Sequence, residues 1–300
     1  MLDCARETFN VTESRAAQDG TGRLYLVSTP IGNLEDITLR ALRVLREADV
    51  VACEDTRQTQ KLLRHFEIEK RMVSYHEHNE ITRGAELVIE MEQGAVVALA
   101  SDAGTPVLSD PGHHLVTLCL RHHIPVIPIP GPSAALAALA ASGLPVEEFA
   151  FLGFLPARAG DRRKTIQALR AERKTLIFYE APHRIAEMLA DAAEILGARP
   201  AVVAREITKL HEEFLRGTLE ELAARAAKHP PRGEITVLVG PSAEPIPGVI
   251  AGPAAALSLS ARVAQLERDE GLDRKAALKQ AARERGLNKR DAYKRLLLER

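Results

Sequence analysis

From Leu24 onward, short apolar runs alternate with amphipathic ones. Residues 24–28, 49–53, 71–75, 95–100 and 124–129 are brief and largely apolar, which predicts strands buried on both faces. Between them, 37–47, 56–66, 82–92 and 112–122 repeat their apolar positions at helical intervals. Strands separated by helices predict a parallel-rich α/β sheet covered on both sides, ending near Pro130. Pro128-Ile129-Pro130-Gly131-Pro132 cannot prolong a strand and marks a hinge or boundary.

A second β/α series follows. Ser133 is placed to cap an Ala-rich helix over 134–141 that stops at Gly143. Strands are expected at 149–154, 175–179, 201–205, 213–217 and 234–239, and helices at 161–171, 183–196 and 219–227. The expected divisions are a disordered tail (1–22), two α/β domains (23–131 and 132–242), a Pro/Gly/Ala linker (243–254) and a helical domain (255–300). In the last of these Gly286 and Asn288 separate two helical patterns in the manner of a helix-turn-helix.

Charge alters the picture at one end only. The 300 residues carry a net charge of −1, but from Arg262 onward there are 12 Lys/Arg against 7 Asp/Glu, leaving an acidic body. A basic tail on an acidic body is expected where one end meets a polyanion. Cys4, Cys53 and Cys119 form no close pair, which points to a reducing, cytoplasmic compartment and away from zinc. The amino terminus lacks the apolar core of a signal peptide, and no apolar run reaches the length of a membrane span.

The candidate chemistry lies in loops at strand ends. Residues 101–112, Ser-Asp-Ala-Gly-Thr-Pro-Val-Leu-Ser-Asp-Pro-Gly, follow the fourth strand, the position where open α/β sheets bind ligands. Neither G-x-G-x-x-G nor G-x-x-x-x-G-K-[ST] occurs, so no dinucleotide fingerprint or P-loop is supported. Glu54-Asp55-Thr56-Arg57 reads either as a helix start or as a charged functional edge, in which Arg57 holds a phosphate. His76 and His78 alternate on one face without a third ligand, so no metal is expected. His76 is kept as a proton acceptor or RNA contact.

The 101–112 run resembles the signature of the ribosomal branch of the tetrapyrrole-methylase superfamily, the small-subunit ribosomal RNA methyltransferase I family. Supporting motifs in the same order are Ser28-Thr29-Pro30-Ile31-Gly32-Asn33-Leu34, Cys53-Glu54-Asp55-Thr56-Arg57, Tyr75-His76-Glu77-His78-Asn79, Pro130-Gly131-Pro132-Ser133-Ala134, Tyr179-Glu180-Ala181-Pro182-His183-Arg184 and Gly233-Glu234-Ile235-Thr236. The resemblance implies a two-domain class III methyltransferase fold, homodimeric, using S-adenosylmethionine to methylate the ribose 2′-hydroxyl of a decoding-site cytidine in 16S rRNA of the small ribosomal subunit. It suggests Pro30, Asp102, Ala103, Gly104, Ser133 and Ala134 as cofactor contacts, with Tyr179, Ala204 and Thr236 around the adenine. Arg57, Arg184, Arg205 and Lys209, with Lys289 and Arg290 in the tail, would face the RNA.

Deprotonating a ribose hydroxyl requires a base or a cation that stabilises the alkoxide. Glu54, Asp55, His76 and Glu180 are candidates for the first role, and Arg57, Arg184 and Lys209 for the second. Two other readings stand beside this one. A uroporphyrinogen or corrin methyltransferase would keep the fold and cofactor, whereas a non-catalytic RNA-binding protein would need neither.

Overall fold

The computed structural model describes residues 22–242, 258–269, 271–284, 287, 291–292 and 296. The expected amino-terminal tail up to residue 21, the linker 243–254, and Gly286, Asn288, Lys289 and Arg290 lie outside the described residues. Contacts gather the chain into two compact units, divided between Ser242 and Ala243.

The first sheet holds β1 (Arg23–Val27), β2 (Val50–Cys53), β3 (Arg71–Ser74), β4 (Val96–Ala100) and β5 (Val126–Ile129), all parallel, in the order β3-β2-β4-β1-β5. Successive side chains of a strand point to opposite faces, so the apolar runs supply two cores. Tyr25, Val27, Val51, Ala98 and Ala100 pack against α1 (Leu39–Glu47) and α2 (Thr56–His65) on one side. Leu24, Val50, Ala52, Val97 and Leu99 meet α3 (Glu80–Glu92) and α4 (His113–Arg121) on the other. The neighbouring strands β1 and β4 therefore send their chains to opposite faces. This opens a crevice at their carboxyl ends, the switch point at which such sheets bind ligands.

Helix ends account for most shifts from the expected boundaries. The first helix starts two residues later than its pattern suggests, because Leu34–Asp36 forms a 3-10 turn and Thr38 caps the Ala41 amide. Ile124, expected in β5, instead donates to the Cys119 carbonyl at 2.8 Å, with His123 left-handed (φ 57°). That six-to-one closure ends α4 without a glycine. The α2 helix closes the same way through Glu67 (φ 55°), where Ile68 donates to the Leu63 carbonyl at 2.9 Å.

After β5 the capped helix α5 (Ala134–Ser142) forms as the sequence predicts, Ser133 at its head and left-handed Gly143 (φ 81°) at its foot. The second sheet comprises β6 (Phe149–Phe154), β7 (Thr175–Glu180), β8 (Pro200–Arg205), β9 (Glu213–Thr218) and β10 (Ile235–Val239), in the order β6-β7-β10-β8-β9. Only β6 and β7 are parallel, and the other pairs are antiparallel. The loop between β8 and β9 is too short for a crossover, so the β/α series closes into a mixed sheet. One face packs on α6 (Ala159–Ala168), α7 (Ile185–Leu196) and α8 (Leu219–Lys228). The other face packs on α5 and on Ile31 from the first half. Arg216 of β9 donates to the Ala141 and Ser142 carbonyls at 2.6 and 3.2 Å, tying down the foot of α5.

The second unit contains α9 (Leu259–Asp269) and α10 (Arg274–Glu284), with Asp273 capping α10 through the Ala276 amide at 2.8 Å. Leu259, Val263, Leu266, Ala277, Leu278 and Ala281 give this unit a core of its own.

One buried ion pair supports the outer layer of the first unit. Arg162 on α6 has a side chain only 3% exposed, and its Nε donates to Asp191 on α7 at 2.7 Å, while Arg163 reaches the other oxygen of Asp191. Removing the acid leaves a buried guanidinium short of its main partner. Asp191→Ala is therefore expected to lower unfolding free energy by about 3 kcal/mol, read as a fall in urea midpoint without a change in slope.

Candidate active site

Three loops meet above the crevice, and their backbone hydrogen bonds fix them to one another. Thr29 and Gly104 exchange a reciprocal pair, Thr29 N to Gly104 O at 2.9 Å and Gly104 N to Thr29 O at 3.0 Å. The Thr29 hydroxyl donates to the Ser101 carbonyl at 2.8 Å. Ser28 donates to the Thr105 hydroxyl, which in turn donates to the Pro132 carbonyl, each at 3.4 Å. The loops after β1, β4 and β5 are thus tied into one hydrogen-bonded body.

Below this body lies a cavity of about 350 Å³. Ala103, Gly104, Ser133, Ala134, Tyr179 and Thr236, six of the nine residues expected to contact a cofactor, line it. Register explains why the last two meet. Phe154, Tyr179, Thr236 and Ala204 form one rung across β6, β7, β10 and β8, all on the same face. Ala204 is itself fully buried in the core, outside the cavity wall. Pro30 and Asp102 line an adjoining cavity of about 490 Å³, which shares Ile31, Ala103 and Glu234 with the first.

The segments that carry the wall store backbone strain. Val107 (φ 76°) and Ser109 (φ 65°) on the 101–112 loop, and Glu206 (φ 51°) and Thr208 (φ 69°) after β8, are left-handed without being glycine. Each costs on the order of 1–3 kcal/mol, and such residues cluster at functional sites.

Glu54, Asp55, Arg57 and His76 come together in a separate cleft at the ends of β2 and β3. The Asp55 amide donates to Asp102 at 3.2 Å, linking this cleft to the 101–112 loop. Asp55 caps α2 and is chelated by Arg57, at 3.0 and 2.7 Å. Those bonds lower its pKa to about 2, which makes it a feeble base. His76 Nδ1 is buried with no hydrogen-bond partner among the described residues. Glu180 stands apart from this cleft, in the wall of the main cavity. It is 2% exposed, accepts from the Ala181 amide at 2.8 Å and faces Arg184 at 3.3 Å.

The cations suggested for RNA are mostly engaged within the protein. Arg184 donates to the Leu155 carbonyl at 2.6 Å. Arg205 pairs with Glu213 at 3.3 Å, and Lys209 with Glu206 and Glu234 at 3.0 and 3.2 Å. Arg57 is exposed but spent on Asp55.

This geometry can be set against known proteins. Residues 23–223 match the family model of Tetrapyrrole (Corrin/Porphyrin) Methylases. Ribosomal RNA small subunit methyltransferase I of Halalkalibacterium halodurans is 51% identical over 234 residues, covering 78% of this chain and 81% of that protein. The protein of the same name from Mesorhizobium japonicum is 54% identical, covering 73% and 75%. The chain belongs to the tetrapyrrole methylase family, in its ribosomal RNA small subunit methyltransferase I branch. Among solved structures, uroporphyrin-III C-methyl transferase from Thermus thermophilus, complexed with S-adenyl homocysteine, aligns with TM-score 0.54 at 24% identity, over 73% of this chain and 97% of that one. Diphthine synthase aligns with TM-score 0.58 at 18% identity, over 73% and 90%. At these identities the likeness concerns the fold.

The main cavity also has wall residues outside the suggested cofactor contacts, among them Asp110, Phe154 and Ile207. Asp110 stands in the 101–112 run, so the loop is conspicuous in the sequence while this role is not. Its Oδ2 accepts a very short hydrogen bond from Ser101. Burial raises its pKa, with Asp102 adding to the rise and the Ser101 bond opposing it. A carboxyl with a raised folded pKa favours the native state while protonated and loses that contribution as pH climbs through the folded value. Asp110→Asn is thus expected to melt higher than the parent at pH 8, with the gap closing as pH falls through the raised folded value towards about 4, below which both side chains are neutral. Melting curves at both pH values check this, and a gap that widens in acid would contradict it.

Proposed function

We propose that this methylase transfers the methyl group of S-adenosylmethionine to the ribose 2′-hydroxyl of a decoding-site cytidine in 16S rRNA, acting as a cytoplasmic homodimer on the small ribosomal subunit. It is an rRNA methyltransferase by family; the ribose, the cytidine and the cofactor's seat are the further step. The observation that carries this step is the convergence of three strand-end loops and the Tyr179–Thr236 rung on one cavity of about 350 Å³. Its size lies in the range of small-ligand sites, its wall is mainly apolar, and its polar groups are few and convergent. Asp110 and Glu234 at the wall offer carboxylates to a ligand that carries ammonium and sulfonium charges.

When bound, S-adenosylmethionine supplies an activated methyl group with a good leaving group. The chain itself must hold the ribose oxygen in line, exclude water and take up a proton. Asp110 suits the proton-accepting role, since one oxygen is held by Ser101 and its basicity is raised by burial. Glu180 is occupied by Ala181 and Arg184, and Asp55 by Arg57.

The test is mass mapping of 16S rRNA after incubating unmethylated small subunits with the protein and labelled S-adenosylmethionine. One ribose methyl at a single cytidine is expected, and Asp110→Asn should lower its rate of formation by roughly a hundredfold or more. A methyl on a base, or on no rRNA at all, would reject the proposal.

The basic second unit is proposed to bind RNA. It has a separate core, so deleting 243–300 should leave S-adenosylmethionine affinity intact. Affinity for the subunit should fall, and its salt dependence flatten, because fewer counterions are released. Calorimetry with the cofactor and filter binding across a salt series measure the two effects.

A further inference from the structure

One aromatic side chain in the cavity wall is placed at a cost that folding does not explain. Phe154 ends β6, the edge strand of the second sheet, and is 55% exposed. Among the described residues, Phe149 and Phe154 are the only exposed phenylalanines. An exposed ring on an edge strand contributes little burial energy.

The strand is nonetheless distorted to aim it. The ladder begins with Phe149 opposite Thr175, Ala150 opposite Leu176 and Phe151 opposite Ile177. Continued regularly, it would set Gly153 opposite Tyr179 and turn the Phe154 ring to the other face of the sheet. A bulge between Phe151 and Gly153 shifts the register, so that Phe154 stands opposite Tyr179 and faces the cavity. Gly153 makes the bulge with φ 63°, and a Cβ there would lie 3.0 Å from the Ser109 hydroxyl, so the bulge packs on the 101–112 loop. Directly after Phe154 the chain is held by Arg184, through its bond to the Leu155 carbonyl. Phe154, Tyr179 and Phe151 form a ring series, with centroids 5.7 and 5.0 Å apart.

We propose that Phe154 is the platform on which the target nucleobase stacks, so that its ribose is presented to the cavity. The inference rests on the rRNA-methyltransferase reading and adds to it the group that receives the base. Enzymes acting on one nucleotide of a structured RNA must splay it out, and an aromatic face recovers the lost stacking. The ring stands at the solvent edge of the rung, one strand beyond Tyr179, where RNA arrives from outside. Charge agrees with this: Arg158, four residues beyond Phe154 and just before α6, is exposed and enters none of the ion pairs among the described residues, unlike Arg184, Arg205 and Lys209.

The test compares the parent with Phe154→Ala, Phe154→Leu and Phe154→Trp, measuring KM for unmethylated small subunits and Kd for S-adenosylmethionine. Phe154→Ala and Phe154→Leu should raise KM about tenfold to a hundredfold, Phe154→Trp should preserve it, and cofactor Kd should move by no more than about twofold in all three. A second substrate, reconstituted subunits whose target nucleotide keeps its ribose but lacks its base, separates stacking from packing. The parent should lose activity on it, and Phe154→Ala should lose no more.

Cofactor Kd rising in step with KM would show that the ring serves the cofactor and overturn the proposal. So would losses from the missing base and from the missing ring that simply multiply, or a Trp variant as poor as Ala. A parent protein that methylates no small subunit fails before any variant is compared, and that result would count against the rRNA reading itself.

Discussion

Everything in the cavity depends on the reciprocal backbone pair between Thr29 and Gly104. The strands β1 and β4 are neighbours whose chains leave for opposite faces, and without a tie their loops would diverge. Two amides and two carbonyls that would otherwise need water close the gap, and the Thr29 hydroxyl adds the Ser101 carbonyl. The cavity roof is consequently a continuation of the sheet's hydrogen bonding. The strained residues Val107 and Ser109 are tolerable because the loop is anchored at its start in this way.

Much of the first half was legible in the sequence because its strands are buried on both faces, and a buried parallel strand is written as an unbroken apolar run. Ser133 and Gly143 announced the ends of α5 by capping chemistry alone. The ends of α2 and α4 also fell within one residue of expectation, from the loss of apolar periodicity, although Glu67 and His123 take the left-handed place usually given to glycine. Strand order in the second sheet depends on which edges meet in space, and no local pattern encodes that.

The site was legible in part for the same reason. The Gly- and Pro-rich loops stood out, and six of the nine suggested cofactor contacts reach the cavity. Ala204 lies beneath it and Pro30 beside it, because distance from the cavity is decided by register and by the paths of loops. Phe154 was invisible as a wall residue, since a strict alternation from Phe151 sends it to the wrong face and a bulge leaves no clear mark in composition. The suggested cations were chosen by charge, and charge in a sequence does not show that Lys209 already has two carboxylate partners.

Helix α5 is held at both ends by side chains, Ser133 at its head beside the cavity and Arg216 of β9 at its foot. Held so, it behaves as a strut about 13 Å long whose ends cannot shift independently. The position of Ser133 in the cavity wall is then partly set by an arginine on the far edge strand of the other sheet. Distance from the ligand is a poor guide to harmlessness in this protein, because a substitution at Arg216 reaches the cavity mechanically, by releasing the strut rather than by touching what binds there.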